Sequence, residues 1–158
     1  MRRPTRRDLP LLFLVLAAVV LVGVVLFRDA GAEDPYEDYC NAVVEHRSEL
    51  GAALQAGDQT GLLRALPAFE DLAAEAPDDI RADWRIVVDR VTGLRDALAD
   101  AGVDASTYDA AKPPAGLTDA QVKAIASAAT RLTASDTGTA IGRVQQQARD
   151  VCKTPLSL

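Results

Sequence analysis

Two cysteines, a single histidine and a short run of aspartates are the residues here whose types and spacing invite chemistry. Cys40 and Cys152 are the only cysteines. An even count in an oxidising compartment predicts one disulfide. Zinc needs more ligands than two thiolates and the lone His46 supply. His46 falls beside the apolar stripe of a helical stretch, so it reads as a half-exposed surface histidine rather than a ligand or pH switch. Asp78, Asp79 and Asp83 suggest calcium by charge alone. Their helical spacing is wrong for the loop ligands calcium prefers, and the first two suit the positive end of a helix. No serine or cysteine nucleophile stands next to histidine, and no glycine-rich phosphate loop is present. The expectation is a non-catalytic chain with no cofactor and no metal site.

The compartment follows from residues 9–27, LPLLFLVLAAVVLVGVVLF, which carry no charge. Eighteen of them, from Pro10, span roughly 27 Å as a helix, close to the least that crosses a bilayer core. Arg2, Arg3, Arg6 and Arg7 precede this run, whereas Arg28 is followed by Asp29, Glu33 and Asp34. The positive-inside rule then places the N-terminus in the cytoplasm and the rest outside. The segments expected are a basic cytoplasmic start at 1–8, a transmembrane helix at 9–27, a linker at 28–34 and an extracytoplasmic domain at 35–156. The alternative is a secreted domain, cleaved after the Ala30-Gly31-Ala32 motif.

Charge divides along the same line. Of 17 basic and 23 acidic residues, residues 1–32 hold five and two, which leaves 12 against 21 in the remainder, a net of −9. So acidic a domain is no partner for nucleic acid and is repelled by anionic lipid headgroups. Its 126 residues suffice for one domain with one core.

Four helical legs are legible. Asp34-Pro35-Tyr36-Glu37 has the form of a helix entry, with Tyr36, Cys40, Val43, Val44, Leu50 and Leu54 as its stripe and Gly57 as its end. Residues 58–76 form a second leg that Pro67 is expected to kink or divide. The third leg opens at Pro77, carries Ile80, Trp84, Val87, Val91, Leu94 and Leu98, and stops at Gly102. Trp84 belongs to its core, with an indole N–H that needs a partner. Asp83, Arg90 and Asp96 are assigned to its solvated face. Residues 103–117 are irregular, with Pro113, Pro114 and Gly116 excluding a helix. Thr118 to Gln121 is a capping box that opens a leg bearing Val122, Ile125, Ala126, Ala129 and Leu132. The pattern weakens near Asp136 and resumes with Ile141, Val144, Ala148 and Val151. With the break inside the fourth leg, Cys40 and Cys152 come to the same end of an up-down bundle, where they can pair.

The phrase LPAFEDLAAEAPDDIRADWRIVVD at 66–89 and the terminal ARDVCKTPL at 148–156, behind a basic start and one span, resemble a broad group of small exported or membrane-anchored helical proteins of actinobacteria. The resemblance implies an envelope helical domain with a disulfide and brings no catalytic or binding residues with it. The expected architecture is all-α, a single transmembrane helix followed by an extracytoplasmic bundle of about four legs. The expected role is a non-catalytic envelope module that binds a protein partner or a small ligand. The alternatives are a secreted or anchored carrier of a small apolar, lipid-like ligand, an acid-residue enzyme, and a structural spacer or membrane tether with no ligand. Pro67, Trp84 and Tyr108 are the candidate contacts for a ligand or partner.

Overall fold

Five α-helices carry the domain: α1 (Glu37–Leu54), α2 (Asp58–Ala74), α3 (Arg81–Asp100), α4 (Asp119–Leu132) and α5 (Ser135–Asp150). The structure is a computed structural model that describes residues 34–106, 108–109, 112 and 114–157. No strand occurs among the described residues. The basic start, the apolar run 9–27 and the linker up to residue 33 lie outside the described residues. Among the described residues no helix is long and apolar enough to cross a membrane.

The helix α3 organises the rest. It touches α2, α4 and α5, while α1 packs on α2. Its buried residues Trp84, Val87, Val91, Leu94 and Leu98 recur at steps of three and four, which keeps them on one stripe. Its end is a Schellman motif. Gly102 takes the left-handed conformation (φ 71°), its N–H donates to the Ala99 carbonyl, and the Val103 N–H donates to the Leu98 carbonyl at 2.8 Å.

Two helices follow where the sequence reading has one interrupted leg. They join at residues 133–134, and their contacts run down α3 in antiparallel order. Asp100 shares a groove with Ala120 and Gln121, Arg90 pairs with Asp136 at 3.0 Å, and Asp83 pairs with Arg143 at 3.7 Å. The capping box is present: the Thr118 hydroxyl accepts from the Gln121 N–H, and the Gln121 side chain accepts from the Thr118 N–H at 2.9 Å.

Pro67 does not divide its helix. α2 runs unbroken through it, with Pro67 facing solvent. Leu63, Leu66, Phe69 and Leu72 are buried on either side. At roughly 1.5–3 kcal/mol for each buried side chain, they outweigh the ~3 kcal/mol that an interior proline costs. Gly61 lets α2 approach α1. A Cβ there would stand 2.9 Å from the Ala53 carbonyl oxygen and 2.9 Å from the Leu54 Cα.

Three assignments of faces are corrected. Val44 and Leu54 on α1 are exposed, and Tyr39 is buried in their stead. Val122 and Ala126 on α4 are exposed, because the side that meets the core carries Ile125, Ala128 and Leu132, with Ala129 partly buried beside them. Asp83 is buried rather than solvated. It lies three residues after Ile80 and four before Val87, so it shares the side of the helix that the stripe occupies.

The cysteines pair. Cys40 in the first turn of α1 and Cys152 just after α5 form a disulfide with Cα atoms 5.1 Å apart, across 112 residues of sequence. Closing so long a loop is worth about 4–5 kcal/mol in the chain-entropy account. The last residues turn back beyond it. Leu156 is buried in the core cluster, and Arg47 on α1 donates to the Thr154 hydroxyl at 2.8 Å.

Candidate functional site

Trp84 anchors the first candidate. Its side chain is fully buried, and its indole N–H donates to the Tyr39 hydroxyl at 3.1 Å. Phe69 packs against it with ring centroids 5.8 Å apart. Burial pushes the Tyr39 phenol above its ordinary pKa; the Trp84 hydrogen bond opposes this, and the Asp79 charge adds to it. Beside the indole, Leu50, Leu62, Phe69, Val87 and Val144 leave a cavity of about 80 Å³, with Leu156 and Ser157 at its wall. Pockets that take drug-sized ligands run to roughly 300–1,000 Å³. This one has room for a few waters or one small group.

The three sequence-derived contact residues stand apart. Only Trp84 lines that cavity. Pro67 is on the exposed side of α2. Tyr108 is buried and pins the irregular segment to α2, where the Thr60 hydroxyl donates to the Tyr108 carbonyl at 2.6 Å. Arg64 supports the same segment by donating to the Ser106 carbonyl at 3.1 Å. Burial, with the Asp109 charge, raises the Tyr108 phenol. The Asp104 carboxyl is held low by accepting from the Ser106 hydroxyl and N–H.

His46 is more enclosed than expected, with 17% of its side chain exposed. Its Nδ1 lies 3.4 Å from the Glu49 carboxylate and its Nε2 lies 3.4 Å from that of Asp71, so it links α1 to α2. Among the described residues no three His, Cys, Asp or Glu side chains are grouped to hold a metal ion.

The second candidate is a surface cleft of about 370 Å³ between the start of α3 and the end of α5. Asp79, Asp83, Arg143, Gln147 and Asp150 line it. Asp83 is 8% exposed, and the Arg143 guanidinium approaches it no closer than 3.7 Å, too far for a hydrogen bond. Gln147 is 9% exposed, and neither its amide nitrogen nor its amide oxygen has a partner among the described residues. Asp150 is better served, accepting from the Gln146 amide at 2.7 Å. Cleft formation follows from helix geometry. Gln147 comes three residues after Val144 and four before Val151, so the stripe carries an amide inward. Sequence reasoning passed over Gln147. The signal available was a polar residue at apolar-stripe spacing, facing a second one, Asp83, on another helix.

A search of protein-family models, of curated proteins and of solved structures finds no match to this chain.

Proposed function

We propose that the chain is a non-catalytic binding module of the cell envelope, displayed outside the membrane from a single-pass anchor at residues 9–27 with the N-terminus in the cytoplasm. The Cys40–Cys152 disulfide supports the compartment, since such bonds persist where the surroundings oxidise. The arginine-rich start before an uncharged run supports the anchor and its orientation. The observation that carries the binding role is the cleft at the α3–α5 seam, where neither atom of the buried Gln147 amide has a hydrogen-bond partner among the described residues and Asp83 meets only the Arg143 guanidinium at 3.7 Å. A bundle serving only as a spacer has no use for polar groups left in that condition.

Carriage of a lipid-like ligand is the weaker alternative, because the cavity beside Trp84 is about 80 Å³. An acid-residue enzyme has one observation in its favour, the three aspartates lining the cleft. The unpartnered amide beside them serves recognition more directly than proton transfer.

Native mass spectrometry of the C-terminally tagged chain, extracted gently from its own membranes, tests the reading. A polypeptide that begins at Met1, is two hydrogens short and carries a bound species is the expected result. A chain that begins at Glu33 overturns the anchor, two free thiols overturn the compartment, and a bare chain overturns the binding role.

A further inference from the structure

We infer that the cleft between the start of α3 and the end of α5 takes a primary ammonium group, presented by a small amine or by a lysine side chain. The inference rests on the binding role proposed above and names its ligand class. Charge comes first. Asp79, Asp83 and Asp150 face one guanidinium, Arg143, so the cleft holds a net charge of −2 and favours a cation. Hydrogen bonding narrows the choice. Asp83 is nine-tenths buried and is met only by the Arg143 guanidinium at 3.7 Å, and Gln147, equally buried, has an amide oxygen with no partner among the described residues. An ammonium brings three donors and no acceptor. It matches Asp83, the Gln147 oxygen and one of the two remaining aspartates. The Gln147 amide N–H group is left to donate to a hydroxyl or carbonyl next to the amine.

A guanidinium fits less well. Its planar fork seeks a carboxylate edge-on, and Arg143 already stands at Asp83 in that role without closing the bond. Arg143 is also the movable wall. Its side chain is 66% exposed, so an incoming ammonium can displace it from Asp83. A bare metal ion would need a tighter set of acids than the described residues offer. Asp83 itself occupies the first turn of α3, where the helix dipole suits a carboxylate. That position explains its residue type. It leaves unexplained the empty hydrogen-bonding capacity of Gln147 on the facing helix.

The test is a titration of the full chain in uncharged detergent, followed by NMR at the backbone amides of Asp79 to Asp83 and of Arg143 to Asp150, which every variant retains. The probes are 1,4-diaminobutane, a blocked tripeptide with a central lysine, and sodium acetate. The expected result is a saturable shift with one or both amines, weakened at least tenfold by Asp83→Asn and by Gln147→Leu and unchanged by Asp104→Asn. Asp83→Asn keeps the shape of the side chain, so the test stands even if Gln147→Leu fails to fold. Tighter binding of the diamine points to a free amine, and tighter binding of the tripeptide points to a partner's lysine. The inference is overturned by a shift that never saturates, by equal affinity in Asp83→Asn, or by a response to acetate alone. If amines fail while a species still co-purifies with the chain, the ammonium assignment falls and the binding role stands. If both fail, both fall.

Discussion

The two sides of α3 are built on opposite terms. Towards α1 and α2 the helix presents an apolar stripe, and the one buried N–H on it, the indole N–H of Trp84, meets the Tyr39 hydroxyl. Towards the end of α5, the same helix buries Asp83 at a cleft shared with Gln147, where the Gln147 amide has no partner among the described residues and Asp83 has only the Arg143 guanidinium at 3.7 Å. An interior polar group costs little when paired and much when it is not. The first side therefore stabilises the fold. The second is a place where stability has been given up, and such places are where function is to be sought.

Four variants press on that contrast. Replacing both cysteines with serine removes the tie between α1 and the end of α5 and should lower stability by about 4–5 kcal/mol. Urea unfolding measures this, and a loss below 1 kcal/mol would mean that packing alone holds the two ends together. Tyr39→Phe keeps the packing and strands the Trp84 N–H, at a cost of about 1–3 kcal/mol. A neutral Tyr39→Phe would show that the paired side owes nothing to its hydrogen bond. Gln147→Leu should go the other way and raise stability by about 1 kcal/mol, since it replaces a buried amide without partners by an apolar side chain. A lower midpoint in that variant would reveal a partner for the amide and erase the difference between the two sides.

The smallest effect belongs to acid. The Arg90 guanidinium and the Thr137 N–H hold the Asp136 carboxyl below its usual range. A lowered folded pKa contributes stability above the unfolded value of about 3.9, and that contribution fades as pH falls through the folded value. The gap in stability between the natural chain and Asp136→Asn should be open at pH 7 and should narrow below about pH 4. Urea midpoints at the two pH values would show it, and a gap that stays constant would refute the role of the charge. The pair is exposed, so the gap is small.

Much of this was written locally in the chain. The capping box at Thr118, the stop at Gly102 and the Trp84 stripe each depend on residues within one turn of one another, and the structure holds each of them. The disulfide was legible because two cysteines make an even count in a domain read as lying outside the cell, and it in turn favoured four legs with both cysteines at one end. The misreadings have a common physical source. Val44 and Val122 fit an apolar period yet stay exposed, because how wide a face is covered depends on the neighbouring helix and not on the period. Asp83 was placed on the outside and Gln147 was passed over for the complementary reason. A helical wheel sorted by polarity places charged and amide residues outside, even where their spacing from Ile80, Val87, Val144 and Val151 places them inside. Pro67 looked like a break because its local cost is plain, while the burial that offsets it is supplied by distant helices.

The cross-link also decides how the domain answers a pull. Residues 40 and 152 are joined covalently with their Cα atoms 5.1 Å apart, and the buried core, apart from Tyr39 and Leu156, lies in the loop between them. Tension applied between the chain before Cys40 and the chain after Cys152 passes through the sulfur–sulfur bond and leaves the helices unstretched. Reduction would reroute that tension along α1 and α5 and set the bundle to unravel from both ends, so the oxidised domain is a mechanical fuse that only a reductant can arm.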